Sequence, residues 1–167
     1  MRILSYLKFL LQSTNQHGVH SPFVYSLVTQ CFYKRRKYKP YGSWSKKERL
    51  LYRLLKYFQP QSFLEVSERS VLGVFNLGLP VHKEVKSESY DFVYFDRPSL
   101  QHFERLLPTK QNDSIWVINH IYNDPKAQQI WQTIKENPEV TVTVDTYYYG
   151  LLFFRKEQQK EHFVIRV

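Results

Sequence analysis

The sequence predicts an α/β fold: about five main strands in one sheet, mostly parallel with an antiparallel edge, and helices on both faces. Three observations carry this. First, Ser62–Val66, Tyr90–Asp96 and Ser114–Asn119 are short, unbroken apolar runs, the pattern of strands buried on both faces. Second, helical patterns separate them, and alternation of strand and helix builds parallel sheets. Third, the chain closes on consecutive strand-like stretches, which pair without crossovers. At 167 residues the chain is long enough for one domain with a full core. Residues 1–58 form an N-terminal helical region with a basic loop, packed on the α/β part at 59–167.

The elements follow in order. Ile3–Leu11 is a helix with Leu4, Leu7 and Leu11 on one face. Ser21-Pro22 opens a second helix to about Phe32, with Ser as N-cap, Pro in the first turn, and Phe23, Leu27 and Val28 inward. Tyr33–Ser43 is a loop rich in bases and aromatics. Ser45 and Glu48 have capping-box spacing and open a third helix to about Phe58. Leu50, Leu51, Leu54, Leu55 and Phe58 make its apolar stripe. After the strand at Ser62–Val66 comes a weak helix at Ser70–Leu77, and then the strand Tyr90–Asp96. Ser99–Leu107 is a helix stopped by Pro108. Asp124-Pro125 caps a helix that ends at Asn137-Pro138. Val140–Asp145 alternates as a half-exposed strand does. Gly150–Phe154 and His162–Arg166 are the last strands.

Composition excludes several classes. Aromatics make up 17% of the chain, too many for a disordered protein. The one cysteine, Cys31, leaves no intramolecular disulfide and no thiolate zinc site. With no base nearby, it reads as core rather than nucleophile. The N-terminal apolar stretch is short, is interrupted by Lys8 and has no small-residue cleavage site, so neither a signal peptide nor a membrane span of roughly 20 residues is expected. The expected location is cytoplasmic. The net charge is +9, and residues 34–56 hold ten Lys or Arg against one acid, Glu48. The rest of the chain has 14 of each sign, so the whole excess sits in that segment.

Three blocks, HGVHSPFVY at His17–Tyr25, YDFVYFD at Tyr90–Asp96 and the tail from Val140, together resemble a group of bacterial class I S-adenosylmethionine-dependent methyltransferases. The resemblance implies a Rossmann-like sheet and a cofactor bound beyond the first strand. Glu65, Ser67 and Asp96 stand at the positions it assigns to cofactor and substrate. It also implies an acid-hydrophobic-glycine loop after that strand and, two strands later, an acid that holds the ribose. Here Glu65-Val66 leads into Ser67, where the glycine belongs. Only 24 residues run from Ser67 to Tyr90. One crossover takes about 10–12 residues, so one fits and the family's two outer strands do not. The sheet is therefore expected in truncated form, with Glu84 and Glu88 poor substitutes for the ribose acid. Ser62–Val66 then becomes an edge, covered by Val81–Val85, by N-terminal helices or by a second chain.

The remaining candidates divide in the same way. Glu65 reads as a capping or salt-bridged acid more than as a ligand group. Asp96, Asn119 and His120 read as a structural cluster at the strand lip, since one carboxylate makes a poor metal site. His17 and His20, which the resemblance lays over the cofactor, read as shaping a helix start. Tyr147, Tyr148 and Tyr149 read as hairpin packing. Lys34, Arg35, Arg36, Lys37 and Lys39 lie among Tyr33, Tyr38, Tyr41 and Trp44, and cations interleaved with aromatics can hold single-stranded nucleic acid. The expectation is a degenerate methyltransferase-like protein with no cofactor. It acts as a binding or scaffold module, for RNA through residues 33–56 or for a second copy or protein partner at the edge strand 62–66. The alternatives are an active methyltransferase with an atypical cofactor site, and a peripheral protein whose N-terminal helix meets an acidic membrane.

Overall fold

Seven strands form one sheet in the order β2-β1-β3-β4-β6-β5-β7. The structure, a computed structural model, describes residues 2–34, 44–75, 78, 80–85 and 89–167. The strands are β1 (Phe63–Val66), β2 (Val81–His82), β3 (Phe92–Phe95), β4 (Ile115–Asn119), β5 (Val142–Asp145), β6 (Tyr149–Phe153) and β7 (Glu161–Val164). Strand β6 runs antiparallel to β4 and β5, and the other pairs are parallel. The antiparallel character is thus confined to the end of the sheet built by the C-terminal tail.

The helices are α1 (Arg2–Gln12), α2 (Pro22–Leu27), α3 (Lys46–Phe58), α4 (Leu100–Leu106) and α5 (Pro125–Glu136). Alternation along each strand decides which face they cover. Phe92, Tyr94, Ile115, Val117, Leu151 and Phe153 face α2 and α3, whereas Val93, Phe95, Trp116, Ile118 and Leu152 face α4 and α5. Helix starts match the expected caps. The Ser45 hydroxyl accepts the Glu48 N–H while the Glu48 carboxylate accepts the Ser45 N–H. Asp124 accepts the Ala127 N–H at 2.8 Å. Helix α2 does not continue regularly to Phe32: from Val28 to Phe32 it widens into a π-helix, with Tyr33 N–H bonded to the Val28 carbonyl.

Three expectations are corrected and one is met. The sheet has seven strands rather than about five. The Ser67–Tyr90 connection carries a short strand, β2, which pairs with Phe63 and Leu64. Of the three covers expected for the edge at 62–66, the Val81–Val85 stretch is the one found: Val81 and His82 pair with Phe63 and Leu64, so β1 is not the outer strand and a second chain is not what meets those two residues. Backbone groups of an apolar strand need partners, and the nearest downstream extended stretch supplies them. Of the helix expected at Ser70–Leu77, the described residues form a 3-10 turn at Leu72–Phe75, and residues 76 and 77 lie outside them. Strand β5 is buried on both faces, not half-exposed: it lies between β6 and β7, and its polar Thr143 bonds the His162 ring at 2.7 Å.

Helix α1 forms where periodicity puts it, but Leu4, Leu7 and Leu11 are 73%, 51% and 89% exposed. Among the described side chains of α1 Phe9 is the buried one, held against the rings of Tyr122 and Tyr147. Thr14 then bridges to Ile165 beside β7. Among the described residues no helix is long and apolar enough to cross a membrane.

Candidate functional site

Order reverses around β1: the chain steps outward to β2 and then back across to β3. In open parallel sheets such a switch point leaves a crevice beyond the carboxyl ends of the strands. Here that crevice is a cavity of 580 Å³, lined by Val66, Ser67 and Glu68 after β1, Lys83 after β2, and Asp96, Arg97, Ser99 and His102 after β3.

Glu65 lies at the end of β1 with no exposed surface, and its carboxylate is spent locally. It accepts the backbone N–H groups of Val71 and Leu72 and the Ser70 hydroxyl, and pairs with Lys83 Nζ at 2.9 Å. Lys83 also donates to the Ser67 hydroxyl at 2.9 Å and reaches the carbonyls of Ser67 and Arg69. One ammonium therefore pins the loop at Ser67–Val71 to the end of β2. A buried carboxylate without such partners would carry a large desolvation cost, so the loop folds around the acid rather than opening over it.

Asp96 and Asn119 are brought together. The Asn119 amide donates to Asp96 Oδ1 at 3.1 Å and to the Tyr94 hydroxyl at 2.8 Å, and its Oδ1 accepts the His120 N–H at 2.8 Å. Burial, then the Asp96 charge, push the Tyr94 phenol well above its ordinary range, so it stays protonated. His120 joins through its backbone and turns its side chain to a second, smaller lip cavity of 190 Å³, shared with Lys47, Tyr122, Asn123, Tyr147 and Tyr148. His120 and Tyr147 there have left-handed backbone, at φ 58° and 67°, a conformation that non-glycine residues hold only where their surroundings enforce it. Among the described residues no three His, Cys, Asp or Glu side chains group as metal ligands do. His17 and His20 are exposed and line neither cavity.

The basic segment is only partly described. Arg35, Arg36, Lys37, Tyr38 and Lys39 lie outside the described residues. Lys34 follows Tyr33, the residue that caps the π-helix, and lines a third cavity, of 270 Å³, with Arg53, Lys56, Tyr57, Gln59, Gln30 and Cys31. Burial pushes the Cys31 thiol up to about 12, with the Arg53 charge opposing, so the wall it forms is a thiol and not a thiolate. Sequence reasoning missed Lys83, Arg97 and His102 at the lip, and did not join Arg53 and Lys56 to Lys34. The β-prone Val81-His82 pair before Lys83 was the available signal; the rest depends on which loops meet.

No family model, no curated protein and no solved structure matches the chain.

Proposed function

We propose that the chain is a methyltransferase-like α/β module that holds no S-adenosylmethionine and works as a binding protein for single-stranded RNA, through residues 33–56. The pairing of Glu65 with Lys83 carries the first half. A sulfonium nucleoside needs a lip whose backbone it can approach and carboxylates free to take its hydroxyls, and the residues present do not fit it. The β1 acid is enclosed by its own loop. The stretch Ser67–Ser70 has no glycine. The strand beside β1 runs into a lysine, Lys83, and not into an acid.

The second half is supported by the charge of α3 and its flanks: Lys34, Lys46, Lys47, Arg49, Arg53 and Lys56 are met by one acid, Glu48, and that acid is turned back into the helix cap. Phosphates are the natural counter-charge for such a surface, and Trp44, Tyr52 and Tyr57 supply rings along it.

Calorimetry with S-adenosylmethionine and its demethylated product should show no heat of binding; micromolar affinity for either overturns the first half. A single-stranded RNA oligomer should bind at low salt, weaken as salt rises, and lose most of its affinity on charge reversal of Arg35, Arg36 and Lys37. Absence of binding at low salt ends the second half. One observation favours a second reading, methyl transfer at an atypical site: the 580 Å³ cavity at the switch point. The same calorimetry decides it.

A further inference from the structure

Resting on the RNA reading, we infer that the cavity between the π-helix and α3 is the seat of one phosphoryl group. Lys34, Arg53 and Lys56 converge on it. Among the described residues no carboxylate lines it and none of the three cations forms an ion pair. A cation cluster with no internal counter-charge is held together at the expense of mutual repulsion, which a bound anion relieves. Other lysines and arginines of this molecule, Lys83, Lys110 and Arg155, have carboxylate partners.

Two features of the local structure give the seat its geometry. Arg53 lies one turn before Lys56 on α3, and its Nη1 donates to the Phe32 carbonyl at the end of the π-helix. That bond anchors the guanidinium against the backbone, while its Nε is buried and bonded to nothing among the described residues. An anchored guanidinium with N–H groups to spare suits the oxygens of a phosphate. The second feature is the π-helix itself. Its wide turn carries Gln30 and Cys31 into the cavity wall. A widened turn of this kind is rare and recurs at functional sites. At 270 Å³ the space falls below the roughly 300–1,000 Å³ of sites for larger ligands, which suits a phosphoryl group and not a whole nucleoside cofactor. The phosphoryl group could belong to an RNA backbone or be free phosphate; the chemistry is the same.

The test uses the full chain, with the double variant Lys34→Gln/Lys56→Gln, the single variant Arg53→Gln, and Lys126→Gln/Lys156→Gln, two exposed lysines elsewhere, as a control of the same charge change as the double variant. Affinity for a fluorescent single-stranded RNA oligomer is measured against salt. Each cavity variant should weaken binding about tenfold, the scale of a charge-assisted hydrogen bond. The dependence of log affinity on log salt should flatten by about 0.7, one phosphate contact on a single strand; the control should do neither. If the wild-type chain binds RNA and both cavity variants match it in affinity and slope, the seat is refuted while the RNA reading stands. In a second arm, thermal unfolding is followed with inorganic phosphate at constant ionic strength. Stabilisation of the wild type that the double variant loses supports the seat even if RNA does not bind, and assigns it to free phosphate. If neither RNA nor phosphate distinguishes wild type from variants, the inference falls. Because Arg53→Gln also removes the anchor on Phe32, the double variant, whose two side chains are exposed, carries the decision should the single variant fail to fold.

Discussion

Helices α1 and α3 look alike in sequence and behave differently in the fold. Both are amphipathic, 11 and 13 residues long. In α3, Leu50, Leu51, Leu54 and Leu55 are all within 4% of full burial, packed on the sheet face formed by β1, β3, β4 and β6. In α1, three leucines at helical spacing stand in solvent, and the rings of Phe9 and Tyr6, packed on Tyr147, do the anchoring. Burial of a leucine contributes about 1.5–3 kcal/mol, so α3 is held by its stripe and α1 by two rings and the bridge at Thr14. Spacing creates an apolar side; only a facing surface turns that side into stability.

The sharpest way to break the contrast is a single truncation. Leu54→Ala should cost about 2–5 kcal/mol in chemical denaturation, the range for a fully enclosed leucine. A cost under 1 kcal/mol would mean that α3 is not a core helix.

The next test uses what α1 covers. Asp145, at the end of β5, is buried beside Lys8, Phe9 and Gln12 of α1 and Trp131 and Lys135 of α5, all around one cavity of 310 Å³. Burial pushes its carboxyl up, against the opposing pull of hydrogen bonds from the Tyr122 hydroxyl and the Tyr147 N–H and of the Lys135 charge. An acid whose pKa is raised on folding favours the folded state when protonated. Its contribution is therefore complete below the unfolded value near 3.9 and is lost as pH rises through the folded value. Asp145→Asn should thus gain stability relative to wild type as pH goes from about 3.5 to 7. Phe9→Ala, which loosens α1 and lets water reach Asp145, should shrink that gain. A difference between Asp145→Asn and wild type that does not change with pH refutes the account.

The smallest effect is expected where the contrast began. Replacing Leu4, Leu7 and Leu11 together by Gln, a comparable helix former, should shift the unfolding free energy by no more than about 0.5 kcal/mol per site, as exposed positions do. A loss approaching that of Leu54→Ala would show the stripe buried against something in solution.

How far the chain could be read from its residues differed from element to element. The caps at Ser21, Ser45 and Asp124 were legible because each is a local bond between a side chain and a backbone N–H a few residues on. The central strands were legible because continuous apolar runs have few other uses. At the lip, the glycine-free loop after Glu65 pointed to an acid engaged structurally, and that is how its oxygens are used. The partner, Lys83, was not legible: it lies 18 positions away in sequence, and its place depends on β2 adding to β1. Strand β5 read as half-exposed because its alternating Thr and Asp looked like a solvent face. Those side chains instead meet His162 and Tyr122, a pairing that alternation cannot reveal.

By itself the sequence determined the class of fold, the positions of most helices and strands, and the concentration of positive charge in one segment, because these follow from local bonding, periodicity and composition. Tertiary structure alone decided which apolar stripe is covered, which cation closes the end of β1, and that Lys34, Arg53 and Lys56 share one cavity. Those outcomes depend on which distant segments come to lie side by side, and no short stretch of residues encodes that.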